Sequence, residues 1–433
     1  MLSGLFAVDY DLALLDGMVF RNGKLAKANV YVKGKKIALV SKQKKKAKKE
    51  VDCKGKWILP GMVDSHVHFR EPGMSNKAEW GTESKAAAAG GVTTVLDMPN
   101  NKPPTTSVKE LEKKKKNAAK NSAVNYGFHF GATSDNAGEV RKATGITSLK
   151  VFMGSSTGNL LMTKEEDLRN AFSLAKKKKV PVTIHAEDED VIAFFTDFVR
   201  KKGRKDALAH CDARPPLAAE EAVWRAVSLS GEIGNRIHLL HVSTNAELGI
   251  IRDAKKRGVK VTCEATPHHL FFNKSEMKKQ GNRVKMNPPL RSEEDRRALF
   301  KALKSGLVDT VGTDHAPHTK DEKKGSVWKA PSGVPGVQTA LPLLLDAVSK
   351  KKLSLKRLVQ AFSEKPAEVF GLKKKAKIAK GYDADLIVVD PKKKWKIMDK
   401  GMLYKCGWTP FKGKTVTGKV EATIVNGKIA YSG

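Results

Sequence analysis

The run Trp57-Ile58-Leu59-Pro60-Gly61-Met62-Val63-Asp64-Ser65-His66-Val67-His68 decides how the rest of the chain is read. It is an apolar stretch ending in two histidines separated by one residue. Side chains on a strand alternate with period 2, so both imidazoles face the same way and can grip one metal ion. His-x-His also arises by chance, and the metal reading depends on finding further ligands at the ends of other strands.

Downstream the pattern repeats. Apolar, β-rich runs end near His68 and span 93–98, 125–130, 148–153, 182–185, 237–242, 259–263 and 309–313, with helix-like segments between them. Eight such units predict an α/β fold, a TIM-like (β/α)8 barrel over residues 57–372, whose chemistry comes from the C-terminal ends of its strands. Hydroxyl residues followed by acids mark helix starts at Ser107 with Glu110, Thr163 with Glu166, Ser292 with Asp295, and Ser363-Glu364. Short alternating segments within 14–53, broken by Asn22-Gly23 and Gly34, read as hairpins, and 384–390 and 422–429 look alike. Residues 1–56 and 373–433 are therefore expected to build one small β-sandwich domain.

The chain has 433 residues, enough for a substantial core, and no apolar run long enough to span a bilayer. Residues 1–16 contain Asp9 and Asp11 and lack a basic region followed by an apolar one, so no leader and a cytoplasmic location are expected. Cys53, Cys211, Cys263 and Cys406 are scattered, which argues against a disulfide framework or a cysteine zinc site. The net charge of +35 comes from lysine runs such as 113–116, 176–179, 373–375 and 392–394. A basic surface could bind nucleic acid. These runs carry few interleaved aromatics and no nucleic-acid module surrounds them, so they read as solvated surface that could also attract a small anionic substrate.

The polar residues at the strand ends are His66, His68, Asn100, Lys150, His185, His241 and Asp314. Any single one could be a satisfied core residue; their joint occurrence favours a site at one mouth of the barrel. Lys150, flanked by Leu149, Val151 and Phe152, is the most informative. Burial lowers a lysine pKa and leaves a neutral amine able to react with carbon dioxide. The resulting carbamate would bridge two cations, one held by His66 and His68, the other by His185 and His241. Imidazole and carboxylate donors suit zinc. A hydroxide between two metals would be the nucleophile, and Asp314 would touch one metal and shuttle the proton.

Several stretches together resemble the dihydroorotases of the amidohydrolase superfamily, over about residues 17–430. They are His66-Val67-His68-Phe69-Arg70-Glu71-Pro72-Gly73, Asp97-Met98-Pro99-Asn100, Cys263-Glu264-Ala265-Thr266-Pro267-His268-His269-Leu270, Asn287-Pro288-Pro289-Leu290-Arg291-Ser292, Asp314-His315-Ala316-Pro317-His318-Thr319 and Pro335-Gly336-Val337-Gln338-Thr339. The resemblance implies a metal-dependent barrel with a composite β-sandwich that closes carbamoyl-aspartate reversibly to dihydroorotate in pyrimidine synthesis. It implies metal ligands at His66, His68, Lys150, His185, His241 and Asp314, and substrate contacts at Arg70, Asn100, Asn287 and His318 with the backbone near Ser332 and Gly333. A homodimer or an association with aspartate transcarbamoylase would fit such an enzyme. Allantoinases resemble the first stretch but have Asn in place of Arg70, and hydantoinase-like (dihydropyrimidinase) enzymes lack the Asp314-to-His318 pattern. An inactive barrel scaffold would have lost ligands, and all six positions are filled. His129, His210, His238, His268 and His269 read mainly as structural, although His268 and His269 follow a strand end and could equally orient metal ligands through hydrogen bonds, and 319–332 reads as a candidate lid.

Overall fold

The computed structural model describes residues 10–156 and 160–433. Asp9, part of the argument against a leader, lies outside them. Both ends of the chain supply one eight-stranded sheet: β1 (Tyr10–Arg21), β2 (Lys24–Lys33), β3 (Lys36–Ser41), β4 (Ala47–Asp52), β5 (Trp57–Pro60), and, from the far end, β14 (Leu386–Lys396), β15 (Thr415–Val425) and β16 (Lys428–Ser432). The order is β16-β15-β14-β5-β1-β2-β3, with β4 also on β1. Asn22-Gly23 and Asn426-Gly427 turn the two hairpins with φ positive at both residues, the backbone that a two-residue loop between twisted strands requires. A Cβ on Gly427 would lie 2.1 Å from the Gly34 carbonyl, so that turn tolerates no side chain.

The opening run is divided between two sheets. Trp57–Pro60 pairs with β1 and β14, outside the barrel to which periodicity assigned it. Gly61 makes the crossing: its N–H donates to Asp385 O, and a Cβ there would sit 2.1 Å from Thr93 Oγ1. The barrel then follows as β6 (Met62–Val67), β7 (Val92–Asp97), β8 (Asn125–Gly131), β9 (Ser148–Phe152), β10 (Val182–His185), β11 (Ile237–Leu239), β12 (Val261–Ala265) and β13 (Thr310–Val311), each parallel to its neighbour in sequence. Val67 bridges His315, and His68 N–H donates to His315 O at 2.8 Å, which brings the last strand back to the first.

Alternation explains the composition of these strands. Leu149, Val151, Ile184, Leu239 and Val311 belong to the large apolar core packed under the helices. Their neighbours of opposite parity, including His129, Lys150, Thr183, His185, His238 and Glu264, are buried on the other face, where Ser148 Oγ links His129 Nδ1 to Thr183 Oγ1. The barrel interior is polar, and hydrogen bonds offset the cost of burying it.

Two expected helix starts fall elsewhere. Ser107 and Ser292 cap as expected, the latter in a reciprocal box with Asp295. Thr163 caps nothing; the helix Glu165–Lys178 begins after Lys164, and Thr163 O accepts from Arg225. Ser363 sits inside a π-helical turn, Gln360–Glu364, and donates to Gly61 O, while Ser354 caps the helix Leu355–Val359.

The lysine run 113–116 is not all solvated. Lys114 is fully buried, paired with Asp97 at 2.5 Å and donating to Met98 O and Asn101 Oδ1. Asp97 also accepts from Phe69 N, one residue from His68. Removing one partner of a buried pair strands the other charge, so Lys114→Ala is expected to lose about 3–5 kcal/mol of stability. A shift in the urea midpoint at constant slope would measure that; no shift would mean the pair contributes nothing.

The C-terminal segment does not stay in the terminal sheet. Trp408, fully buried, donates from Nε1 to His318 O, and Lys405 N donates to Glu83, so this segment packs against the helix Trp80–Ala89 and the stretch after Asp314. The segment 319–332 is pinned, because buried Lys323 donates to three carbonyls, of Lys285, Pro331 and Gly333. All four cysteines are unpaired, and no helix among the described residues is long and apolar enough to cross a membrane.

Candidate metal centre and active site

His66 and His68 leave β6 on one face, and their Nε2 atoms lie 3.2 and 3.0 Å from the same Asp314 Oδ1. The ligand atoms of these three residues all lie within 4.8 Å of one another. Their other ring nitrogens are held from behind. His66 Nδ1 meets Glu264 Oε1 at 2.8 Å, and His68 Nδ1 meets Asn100 Oδ1 at 2.7 Å. Acceptors at both Nδ1 positions place the protons there and turn the Nε2 lone pairs toward a carboxylate oxygen. Burial and nearby cationic groups keep both rings neutral, His66 near pKa 4 and His68 well below its usual value. Two lone pairs facing an anion need a cation between them, so the donor set fits a metal ion.

A second pair lies alongside. His185 Nε2 is 2.9 Å from Glu187 Oε2, which leaves Nδ1 as the lone-pair nitrogen, and Nδ1 faces His241 Nε2 at 2.9 Å. His241 Nδ1 is buried without a hydrogen-bond partner. The rings of His66 and His241 are 5.5 Å apart, so the two pairs share one chamber. Lys150 faces the same chamber from β9. Burial lowers its pKa to about 7, against the opposing pull of Asp314 and Glu264.

Beside the metal cluster a cleft is lined by His68, Arg70, Asn100, Ser156, Asn287, Asp314, Ala316, Ser332 and Gly333. Arg70 is almost fully buried, its Nε and Nη1 have no hydrogen-bond partner, and desolvation lowers its pKa to about 10. Asn287 Oδ1 is likewise buried and unpartnered. His318 is not in the lining. Its Nδ1 lies 3.2 Å from Lys77 Nζ, and its Nε2 lies 3.0 Å from Ser332 O and 3.4 Å from Arg70 Nη2, so it stands behind Arg70 and steadies the Ser332 turn.

Sequence reading passed over several partners. Glu264 was legible, since an acid inside an apolar strand is the signal that singled out Lys150; burial raises its pKa to about 8. Glu187 repeats the spacing of His66 and His68 as His185-x-Glu187. Burial would raise its carboxyl, but Arg214 and His185 hold it ionised. Arg214 carried no local signal. It grips both Glu187 oxygens, at 3.1 and 2.6 Å, and donates to Ser155 O at 2.9 Å, tying the support of His185 to the loop that lines the cleft. Arg214→Ala is expected to weaken metal retention about 10–100-fold, read as metal content after dialysis against a chelator series. Wild-type retention would show that Glu187 orients His185 without help. His268 and His269 do not touch the cluster: His269 joins Thr266 and Pro288 O, and His268 Nε2 is unpartnered. His210 bonds Met286 O.

A parallel eight-stranded barrel with clustered histidines and an aspartate at one mouth defines a metal-dependent barrel hydrolase. Residues 57–430 match the Amidohydrolase family, to which the chain belongs. It is 43% identical over 378 residues to a dihydroorotase of Halobacterium salinarum, covering 87% of this chain and 86% of that one. With a dihydroorotase of Methanothermobacter thermautotrophicus the identity is 38% over 424 residues, 97% and 94% of the two chains. Among solved structures, the L-hydantoinase (dihydropyrimidinase) of Arthrobacter aurescens superposes with a TM-score of 0.93 at 32% identity, covering 97% and 96%. The dihydropyrimidinase of Brevibacillus agri gives 0.90 at 30%, covering 96% and 94%. The family is metal-dependent, and this chain carries a His66-His68-Asp314 group whose donor atoms are close enough to hold one ion.

Proposed function

We propose that the chain is a dihydroorotase, closing N-carbamoyl-L-aspartate to L-dihydroorotate and reopening it in the synthesis of pyrimidine nucleotides. The observation that carries the choice of ring is Arg70. A buried guanidinium with two unpartnered nitrogens beside the metal cluster calls for an anion, and a planar carboxylate on the ring answers it in two-pronged geometry. Dihydropyrimidinase and hydantoinase substrates lack that carboxylate, so the structural neighbours count here as relatives in the family.

His66, His68 and Asp314 would hold one zinc ion, His185 and His241 a second, with Lys150 in its carboxylated form between them. When bound, the ions lower the pKa of water and polarise a carbonyl. Asp314, at the junction of cluster and cleft, takes the proton from the attacking water and delivers it to the departing ring nitrogen; in closure it runs the transfers backwards. Asn100 supports His68 and reaches the cleft, and Asn287 offers Oδ1 to the ring. Ser332 and Gly333 supply backbone, steadied by His318. We place the enzyme in the cytoplasm, with a second copy or aspartate transcarbamoylase as candidate partners.

The test is turnover by the purified, metal-replete protein. Carbamoyl-aspartate and dihydroorotate should interconvert from either side to the same final ratio. Absence of conversion in both directions would leave an inactive scaffold.

A further inference from the structure

The lysine-rich surface has no part in the chemistry above, and in sequence its runs carry few interleaved aromatics. Folding brings cations against rings at several places, such as Lys202 on Phe198 and Lys374 on Tyr382, and in one groove it gathers six cations around two rings. On the outside of the barrel, the helices Pro267–Phe271 and Glu293–Ser305 and the turn after Ala340–Ser349 enclose a groove of about 540 Å³. Its lining is Phe271 and Phe300 with six cations, Arg296, Arg297, Lys301, Lys304, Lys351 and Lys352, and no carboxylate. Arg296 and Arg297 are paired with Glu293 on their own helix. The four lysines make no ion pair among the described residues. The two half-buried rings meet edge to face at 6.0 Å, and Lys414 caps Phe271 at 4.8 Å.

We propose that this groove binds a nucleoside phosphate, its base against the Phe271–Phe300 pair and its phosphates among Lys301, Lys304, Lys351 and Lys352. The volume is that of a small-molecule site. Lysines bind phosphate as point charges, and a base stacks on an aromatic face whatever its identity. A ligand that is only anionic would use the cations and ignore the rings. An acidic peptide spreads its charge along the chain, whereas a nucleoside diphosphate joins one flat base through a ribose to one compact cluster of charge, and the groove's lining offers both rings and cations. The site lies on the outer face of a barrel helix, apart from the cleft that holds Asp314.

The experiment is calorimetric titration of the full, metal-replete chain with ADP, with pyrophosphate, and with single-stranded oligonucleotides of increasing length. ADP should bind more tightly than pyrophosphate. Lys301→Gln with Lys304→Gln should weaken both about tenfold or more, and Phe300→Leu, which keeps an apolar side chain, should weaken ADP alone by about tenfold. Lys392→Gln with Lys393→Gln, removing two exposed lysines elsewhere, should change neither. Equal loss in that control, or ADP binding no better than pyrophosphate, would reduce the groove to diffuse attraction and overturn the proposal. Affinity that climbs with oligonucleotide length would overturn it in favour of nucleic acid. An unchanged ADP affinity in both groove variants would overturn it outright.

Discussion

Lys150→Ala is expected to purify with its fold intact, with less than half the metal of the parent, and with kcat/KM lowered at least about a thousandfold. In the proposed centre, alanine removes the carboxylated side chain set between the two histidine pairs. The remaining donors, mostly neutral imidazoles, would then have to hold two dications with only Asp314 for charge. Carboxylation needs the neutral amine: the nitrogen adds to carbon dioxide and releases a proton. Burial brings the Lys150 pKa down from 10.5 to about 7. Below that pH the neutral fraction falls roughly tenfold per unit, and above it the amine is free to react. Loading of metal-free protein with zinc and bicarbonate should therefore rise as pH is taken up through about 7 and level off beyond it. Full activity in Lys150→Ala, or loading indifferent to bicarbonate, would remove the bridging role.

Arg70→Ala is expected to raise KM for dihydroorotate and lower kcat/KM by about two to four orders of magnitude, because a site built to pair a charged group loses that discrimination with the partner. Metal content should stay at the parent level, since Arg70 is not among the cluster donors. Hydrolysis of a neutral ring such as dihydrouracil should not fall, and the ratio of the two substrates carries the result. Arg70→Lys should recover only part, because an ammonium offers a charge without the fork. A variant that keeps its preference for dihydroorotate would move the selecting contact elsewhere, Asn287 being the next buried polar group in the cleft.

The barrel was legible because each strand is an apolar run with its own flanks, and all eight overlap the expected runs, though β11 and β13 are shorter and β12 lies two residues further on. The edge between barrel and terminal sheet was less so. Trp57–Pro60 and Met62–Val67 are equally apolar, and only the lateral partners of Trp57–Pro60, β1 and β14, assign it to the other sheet. Histidines show the same division. His129 and His238 stand in strands as apolar as those of His185 and His241, yet they end on Ser148, Ser65 O and Thr262, inside the barrel. Which imidazole meets a metal is decided by depth along the strand and by what lies opposite, both tertiary quantities. Arg214 and Lys114 make the point from the other side. Each is an unremarkable cation in sequence, and each acquires its role from a buried carboxylate brought to it by another strand, Glu187 after β10 and Asp97 at the end of β7.

The most direct measurement is the comparison of kcat/KM for L-dihydroorotate, allantoin and dihydrouracil on the same metal-replete preparation. The buried, unpartnered guanidinium of Arg70 predicts dihydroorotate ahead of both neutral rings by at least about a hundredfold. A preference for allantoin or dihydrouracil would contradict the assignment and leave an amidohydrolase of another ring.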